Sequence, residues 1–161
     1  MPVLARKIER AKWAQNAAAE ADQVSADAIT SCRTMQNALS VWEVAGSEDL
    51  ETAVLAITTG FDRLDAIDVV MLPSEAVVAA GLQIEQTDGR TPVLDLVQTH
   101  RGLANLTYRS LGTVANLVLG SLAQNMWKRY SLAEIRKIIN DAINAGRLEK
   151  EQLQERVRDR L

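Results

Sequence analysis

The sequence predicts an α+β fold, in which a small mixed β-sheet packs on one long central helix and a C-terminal helical hairpin closes the chain. Three observations carry this reading. Residues 91–122 hold the densest apolar content and repeat it at three- and four-residue spacing, the period of a helix face. Residues 67–72 form a compact apolar run stopped by Pro73, as a strand buried on both faces does. Ser131 and Glu134 stand three apart ahead of Ile135, Ile138, Ile139 and Ala142, a capping box followed by an apolar helix stripe.

The remaining elements follow in chain order. Residues 3–13 fit both periods, and a strand is favoured. Residues 14–28 are alanine-rich without large side chains to bury, which predicts a short helix or a mobile connector. A hairpin is predicted over 28–44, where Ile29 and Cys32 and then Leu39, Val41, Trp42 and Val44 flank the polar segment 34–37. Ser47 should cap a helix carrying Leu50, Val54, Leu55 and Ile57 and ending near Gly60. After the 67–72 strand come a short helix from Ser74 to Gly81, a short strand through Leu82 and Ile84, and a turn at Asp88 and Gly89.

Thr91 and Pro92 then read as the start of the central helix, since threonine accepts an orphan N–H and proline at the first position loses no hydrogen bond. Such a helix would reach roughly 45 Å. Gly102, Gly112 and Gly120 are places where it would kink or split. The first half of the final hairpin should stop at Gly146, and Leu148, Leu153, Val157 and Leu161 should line the second. All of this fits a single domain over 1–161, with 1–90 mainly sheet-forming, 91–122 the central helix and 131–161 the hairpin.

Composition limits the function classes. With one cysteine, Cys32, the chain forms no internal disulfide, and Arg6, Lys7 and Arg10 interrupt a signal peptide, so a cytoplasmic protein is expected. No charge-free apolar run approaches a membrane span. The formal net charge is −3, but it is segregated: residues 1–12 hold four bases and one acid, 13–100 three bases and fourteen acids, and 101–161 eleven bases and six acids. Such blocks either neutralise one another across the fold or steer a charged partner.

Arg10, Ala11, Lys12 and Trp13, then Leu39, Ser40, Val41 and Trp42, then Thr91, Pro92, Asp95, Leu96, His100 and Arg101 together resemble segments of small uncharacterised bacterial proteins. The resemblance implies no reaction, cofactor or site residue.

Candidate chemistry is sparse. His100, the sole histidine, falls on the apolar stripe of the central helix, where a histidine is ordinarily a core residue. It is therefore expected to be largely buried, hydrogen-bonded and out of reach of any open pocket. The alternative is a small enzyme in which Asp95 or Asp68 orients the ring. Arg101, Asn105 and Arg109, spaced along one predicted helix face, are candidates to hold an anion. Asp62, Asp65 and Asp68 lack the pattern of a cation loop, no metal or other cofactor is expected, and no glycine-rich phosphate loop occurs. Lys128, Arg129, Arg136, Lys137, Arg147, Arg156, Arg158 and Arg160 make the C-terminal segment basic, yet acids interleave without an aromatic ladder, which disfavours nucleic acid. The leading expectation is a non-catalytic protein–protein interaction module, such as an adaptor or an immunity-type component of a bacterial system, with self-association as a further expectation.

Overall fold

A computed structural model describes residues 1–14 and 23–161. The fold is α+β, built on a six-stranded sheet with several helices. The strands are β1 (Val3–Ile8), β2 (Leu39–Val44), β3 (Ile67–Pro73), β4 (Gln83–Gln86), β5 (His100–Ala104) and β6 (Trp127–Tyr130), in the order β4-β5-β2-β1-β3-β6. Every neighbouring pair is antiparallel, so the sheet is not mixed.

Helices cover both faces. The apolar run of β3 follows from this: Ile67, Val69 and Met71 enter one buried cluster, whereas Val70 and Leu72 enter the other. On the first face lie α3 (Leu50–Thr59) and α6 (Leu132–Asn144), which pack on each other as well as on the sheet side. On the second lies α5 (Tyr108–Ala123), joined by α4 (Ser74–Ala79) and by the short helices α1 (Arg10–Ala14) and α2 (Ala26–Ile29). Trp13 is buried in this second cluster, Trp42 in the first, and half-buried Trp127 lies under the guanidinium of Arg10, 3.8 Å away.

The predicted 91–122 helix is divided. Residues Leu94–Thr99 form a 3₁₀ turn, His100–Ala104 is strand β5, and the helix begins only at Tyr108. Thr91 caps no α-helix; its hydroxyl meets that of Thr59 at 2.9 Å and accepts from the Val93 N–H. Two features explain the break. Asn105 takes a positive φ of 53°, which a right-handed helix does not allow and which turns the chain off the strand. Thr107 then supplies the real cap, exchanging hydrogen bonds with Ser110. Spacings of three and four between apolar residues were satisfied by a turn, a strand and a helix in succession.

Other differences are smaller. The first arm of the 28–44 hairpin is helix α2 and a 3₁₀ turn, Thr30–Cys32, and only its second arm is a strand. Strand β6, within the crossing after Leu122, was not foreseen. The terminal hairpin keeps its first helix, with the predicted Ser131–Glu134 capping box and a left-handed stop at Gly146, φ 69°. Its second helix shrinks to α7 (Glu155–Arg158), because Leu148 and Leu153 reach the core from irregular chain and a 3₁₀ turn. Part of the predicted 14–28 helix or connector, residues 15–22, lies outside the described residues.

Candidate functional site

Strands β1 and β2 pair only from Val3 against Val44 to Ala5 against Trp42, and then part. Where they part, the Arg6 guanidinium takes over, donating from Nη1 to the Ser40 carbonyl at 2.6 Å and from Nη2 to the Ser31 carbonyl at 2.8 Å. Its Nε is buried and has no partner among the described residues. Burial pushes the guanidinium's pKa down, which measures how poorly solvated the charge is rather than a loss of the proton. The nearest acidic group bearing on it is the Cys32 thiol, and burial raises that thiol to about 11, so it supplies no counter-charge at neutral pH.

Two cavities meet at this split. The larger, ≈ 210 Å³, is lined by Ala5, Arg6, Lys7, Ser40, Trp42, Ala56, Ile57, Gly60, Phe61, Arg90 and His100. The second, ≈ 170 Å³, shares Arg6, Lys7 and Phe61 and adds Ile8, Glu9, Thr30, Ser31 and Arg33. Among the described residues no carboxylate lines the larger one. Glu9 in the smaller is paired with Lys12 at 2.7 Å. Lys7 stands 4.5 Å over the Phe61 ring, and burial lowers its pKa against the pull of Asp65 and Glu9.

The wall of the larger cavity contains a hydrogen-bonded chain across three neighbouring strands. In the sheet register Trp42 of β2 faces His100 of β5, and the Thr87 N–H continues the β4 side by donating to the His100 carbonyl at 3.4 Å. The His100 ring meets the edge of Trp42 with centroids 4.9 Å apart. Ser40 lies diagonally from His100, opposite Gly102, whose missing side chain leaves that position of β5 open. Ser40 Oγ is 2.5 Å from His100 Nε2, and Thr87 Oγ1 is 2.7 Å from His100 Nδ1. Burial lowers the His100 pKa, with Arg101 and Arg6 adding to the shift; a Thr87 backbone hydrogen bond opposes it. In the tautomer protonated at Nδ1, the ring donates to Thr87 Oγ1. The neutral ring then offers Nε2 as an acceptor to the Ser40 hydroxyl.

Two glycines let loops close over this wall. A Cβ on Gly60 would overlap the Arg90 carbonyl oxygen, and one on Gly89 would overlap the Trp42 ring. These close approaches bring Arg90, which is exposed, to the mouth of the cavity.

No family model, curated protein or solved structure matches the chain.

The residues singled out from sequence are dispersed. His100 is hydrogen-bonded through both nitrogens as expected, but it is only half-buried, lies on a strand and faces an open cavity, which corrects the expectation of a largely buried, sealed ring. Neither proposed carboxylate partner reaches it: Asp95 binds Arg147 at 2.7 Å, and Asp68 binds Arg129 at 3.2 Å. Arg101, Asn105 and Arg109 do not share a helix face. Arg101 is on β5 and holds Glu43 at 2.7 Å, Asn105 sits in the following turn bonded to Gln83, and Arg109 is exposed in the first turn of α5. Of the C-terminal bases, Arg129, Lys137, Arg147 and Arg160 each hold a carboxylate. Among the described residues no cluster of three metal-ligating side chains occurs, and no helix is long and apolar enough to cross a membrane.

Sequence reasoning missed Arg6, Lys7, Ser40, Thr87 and Arg90. The available signal was in the strands. Residues facing α3 run Val3, Ala5, Lys7 along β1 and Val44, Trp42, Ser40 along β2, so both inward faces turn polar at the same end.

Proposed function

We propose that the chain binds a small anion, a carboxylate or a phosphate monoester, in the cleft between β1 and β2. The observation that carries this reading is Arg6: a poorly solvated guanidinium beside a cavity, with no carboxylate partner and no partner for Nε among the described residues. An uncompensated charge in such a place is costly, and a bound anion offsets that cost with charge-assisted, bidentate hydrogen bonds. Lys7 and Arg90 line the same cavity and add positive charge. At ≈ 210 Å³ the space is below the ~300–1,000 Å³ of drug-sized ligands, which favours a ligand of few heavy atoms.

A protein partner, expected from charge segregation, remains a separate proposal supported by that segregation alone. The cleft gives the small-anion reading a defined place and a ligand size.

Thermal unfolding in succinate, phosphate and chloride at matched ionic strength tests it, since a ligand that binds only the folded state raises Tm with its concentration. The expected result is a concentration-dependent rise in succinate or phosphate that disappears in Arg6→Met. An equal rise in Arg6→Met, or none in the wild type, refutes the reading.

A further inference from the structure

Resting on that anion-binding reading, we infer that Ser40 is a nucleophile and His100 its general base, and that the cleft acylates and hydrolyses a carboxylic ester bearing an anionic group. Four observations lead there. Ser40 is exposed on its strand and lines the cavity, so its hydroxyl is open to a ligand. Its Oγ lies 2.5 Å from His100 Nε2, within the reach that a nucleophile and base need. Thr87 Oγ1 holds the opposite ring nitrogen at 2.7 Å, which orients the ring, and in the tautomer protonated at Nδ1 leaves Nε2 as the acceptor. Arg6, Lys7 and Arg90 line the same space, so positive charge faces both the anionic end of the ester and the oxyanion that develops during attack.

The surroundings of the ring keep it a base. The charges that act on it are Arg101 on its own strand, itself paired with Glu43 of β2, and Arg6 on β1, while Lys7 and Arg90 line the cavity it faces and Asp88 follows Thr87 in the loop. Burial, Arg101 and Arg6 disfavour the imidazolium, so the ring is neutral near pH 7. A carboxylate behind the histidine, as in the familiar serine triad, is replaced here by the Thr87 hydroxyl; Thr87 is a positioning residue.

The steps balance without a further reagent. Ser40 Oγ bonds to the ester carbonyl carbon as its proton passes to His100 Nε2, giving a tetrahedral oxyanion. The carbon–oxygen bond to the alcohol breaks, and the alcohol leaves with the proton from Nε2. Water then attacks the acyl-serine, gives a proton to Nε2, and the acid is released as Ser40 recovers its hydrogen.

The test uses the full chain with para-nitrophenyl hemisuccinate and, as the uncharged control, para-nitrophenyl butyrate, reading nitrophenolate release and the intact mass of the protein. The expected result is a burst with hemisuccinate and one acyl adduct on Ser40. Both should disappear in Ser40→Ala, and His100→Gln should lose ~10²–10⁴-fold in the acylation rate. The wild-type rate should fall as pH drops below ~6.5 because Nε2 takes up a proton. Thr87→Val should lower kcat with KM retained. Absence of an adduct in the wild type, or an adduct that persists in Ser40→Ala, overturns the nucleophile. Equal kcat/KM for the two esters, unaltered by Arg6→Met, overturns the anionic class of the substrate and with it the anion reading, while leaving Ser40 assigned. Succinate binding without acylation does the reverse.

Discussion

Gly60 is where the fold commits most visibly to keeping the cleft closed, and its replacement by alanine gives a worked prediction. Its backbone, φ −82° and ψ −10°, is helical and suits any residue, and it follows directly on α3. Helix propensity alone would therefore favour alanine by up to ~1 kcal/mol. Against this, the new methyl would overlap the Arg90 carbonyl oxygen and press on the Ala56 oxygen at 3.3 Å. The obstruction is backbone, not the end of a flexible side chain, so the loop carrying Arg90 must shift. Overpacking costs ~1–3 kcal/mol, and for an overlap with backbone this close the upper part of that range, ~2–3 kcal/mol, applies, so the difference leaves a net loss of about 1–2 kcal/mol. For a chain of this length that lowers Tm by about 2–8 °C.

Gly112→Ala is the internal control. Gly112 lies inside α5 with no positive φ, and no atom of the described residues stands within 4 Å of a Cβ there. The same substitution should stabilise by about 0.5–1 kcal/mol. Chemical and thermal denaturation of the two variants, with anion-dependent Tm as a second readout, checks both. A Gly60→Ala protein as stable as the wild type, with its succinate response intact, would show that the Arg90 loop yields freely and that its close approach positions nothing.

Further outcomes follow from other parts of the structure. Ser131→Ala removes a cap in which the serine oxygen accepts the Glu134 N–H while Glu134 returns a bond to the Ser131 N–H, and should cost about 1 kcal/mol in urea denaturation. Cys32, buried and raised to about 11, should resist a disulfide reagent at pH 8 in the native protein and titrate as one thiol after denaturation. The lowered pKa of His100 means that the unfolded chain binds a proton more readily than the folded one. Its contribution to stability is whole above ~6.5 and is lost as pH falls from there through the folded value. The difference in denaturation midpoint between wild type and His100→Gln should follow that window, and a flat difference from pH 8 to pH 5 contradicts the assignment.

Legibility in the sequence tracked how local each signal was. The Ser131–Glu134 box, the stop at Gly146, the helix ending at Gly60 and the two-faced burial of β3 all depend on neighbours within a few residues or on one run of apolar side chains, and each appears where expected. The 91–122 segment failed because its apolar spacing does not distinguish one helix from a turn, a strand and a helix placed end to end. The positive φ of Asn105 and the true cap at Thr107 were the local clues that break the period. With β5 hidden inside that segment, the sheet register that brings Ser40, His100 and Thr87 together had no sequence-level expression. His100 was singled out for its rarity, but its partners come from residues 60 and 13 positions away.

A core-facing strand surface that turns polar at one end is in most sheets simply the edge of the protein, where side chains meet water. Here two features argue otherwise. Loops cross that end of the sheet so tightly that Gly60 and Gly89 admit no side chain, leaving a cavity rather than an open margin. The charges inside are also not neutralised by the residues best placed to do so. Residues 13–100 carry fourteen acids, yet none of those among the described residues lines the larger cavity. Asp65, whose field reaches Lys7, forms its ion pairs with Arg63 and Arg160 instead. Charge segregation along the chain thus survives folding at this point, and Arg6, the poorly solvated cation there, also bridges β1 and β2 where their pairing ends. The bridge across the split and the charge proposed to take an anion belong to the same side chain.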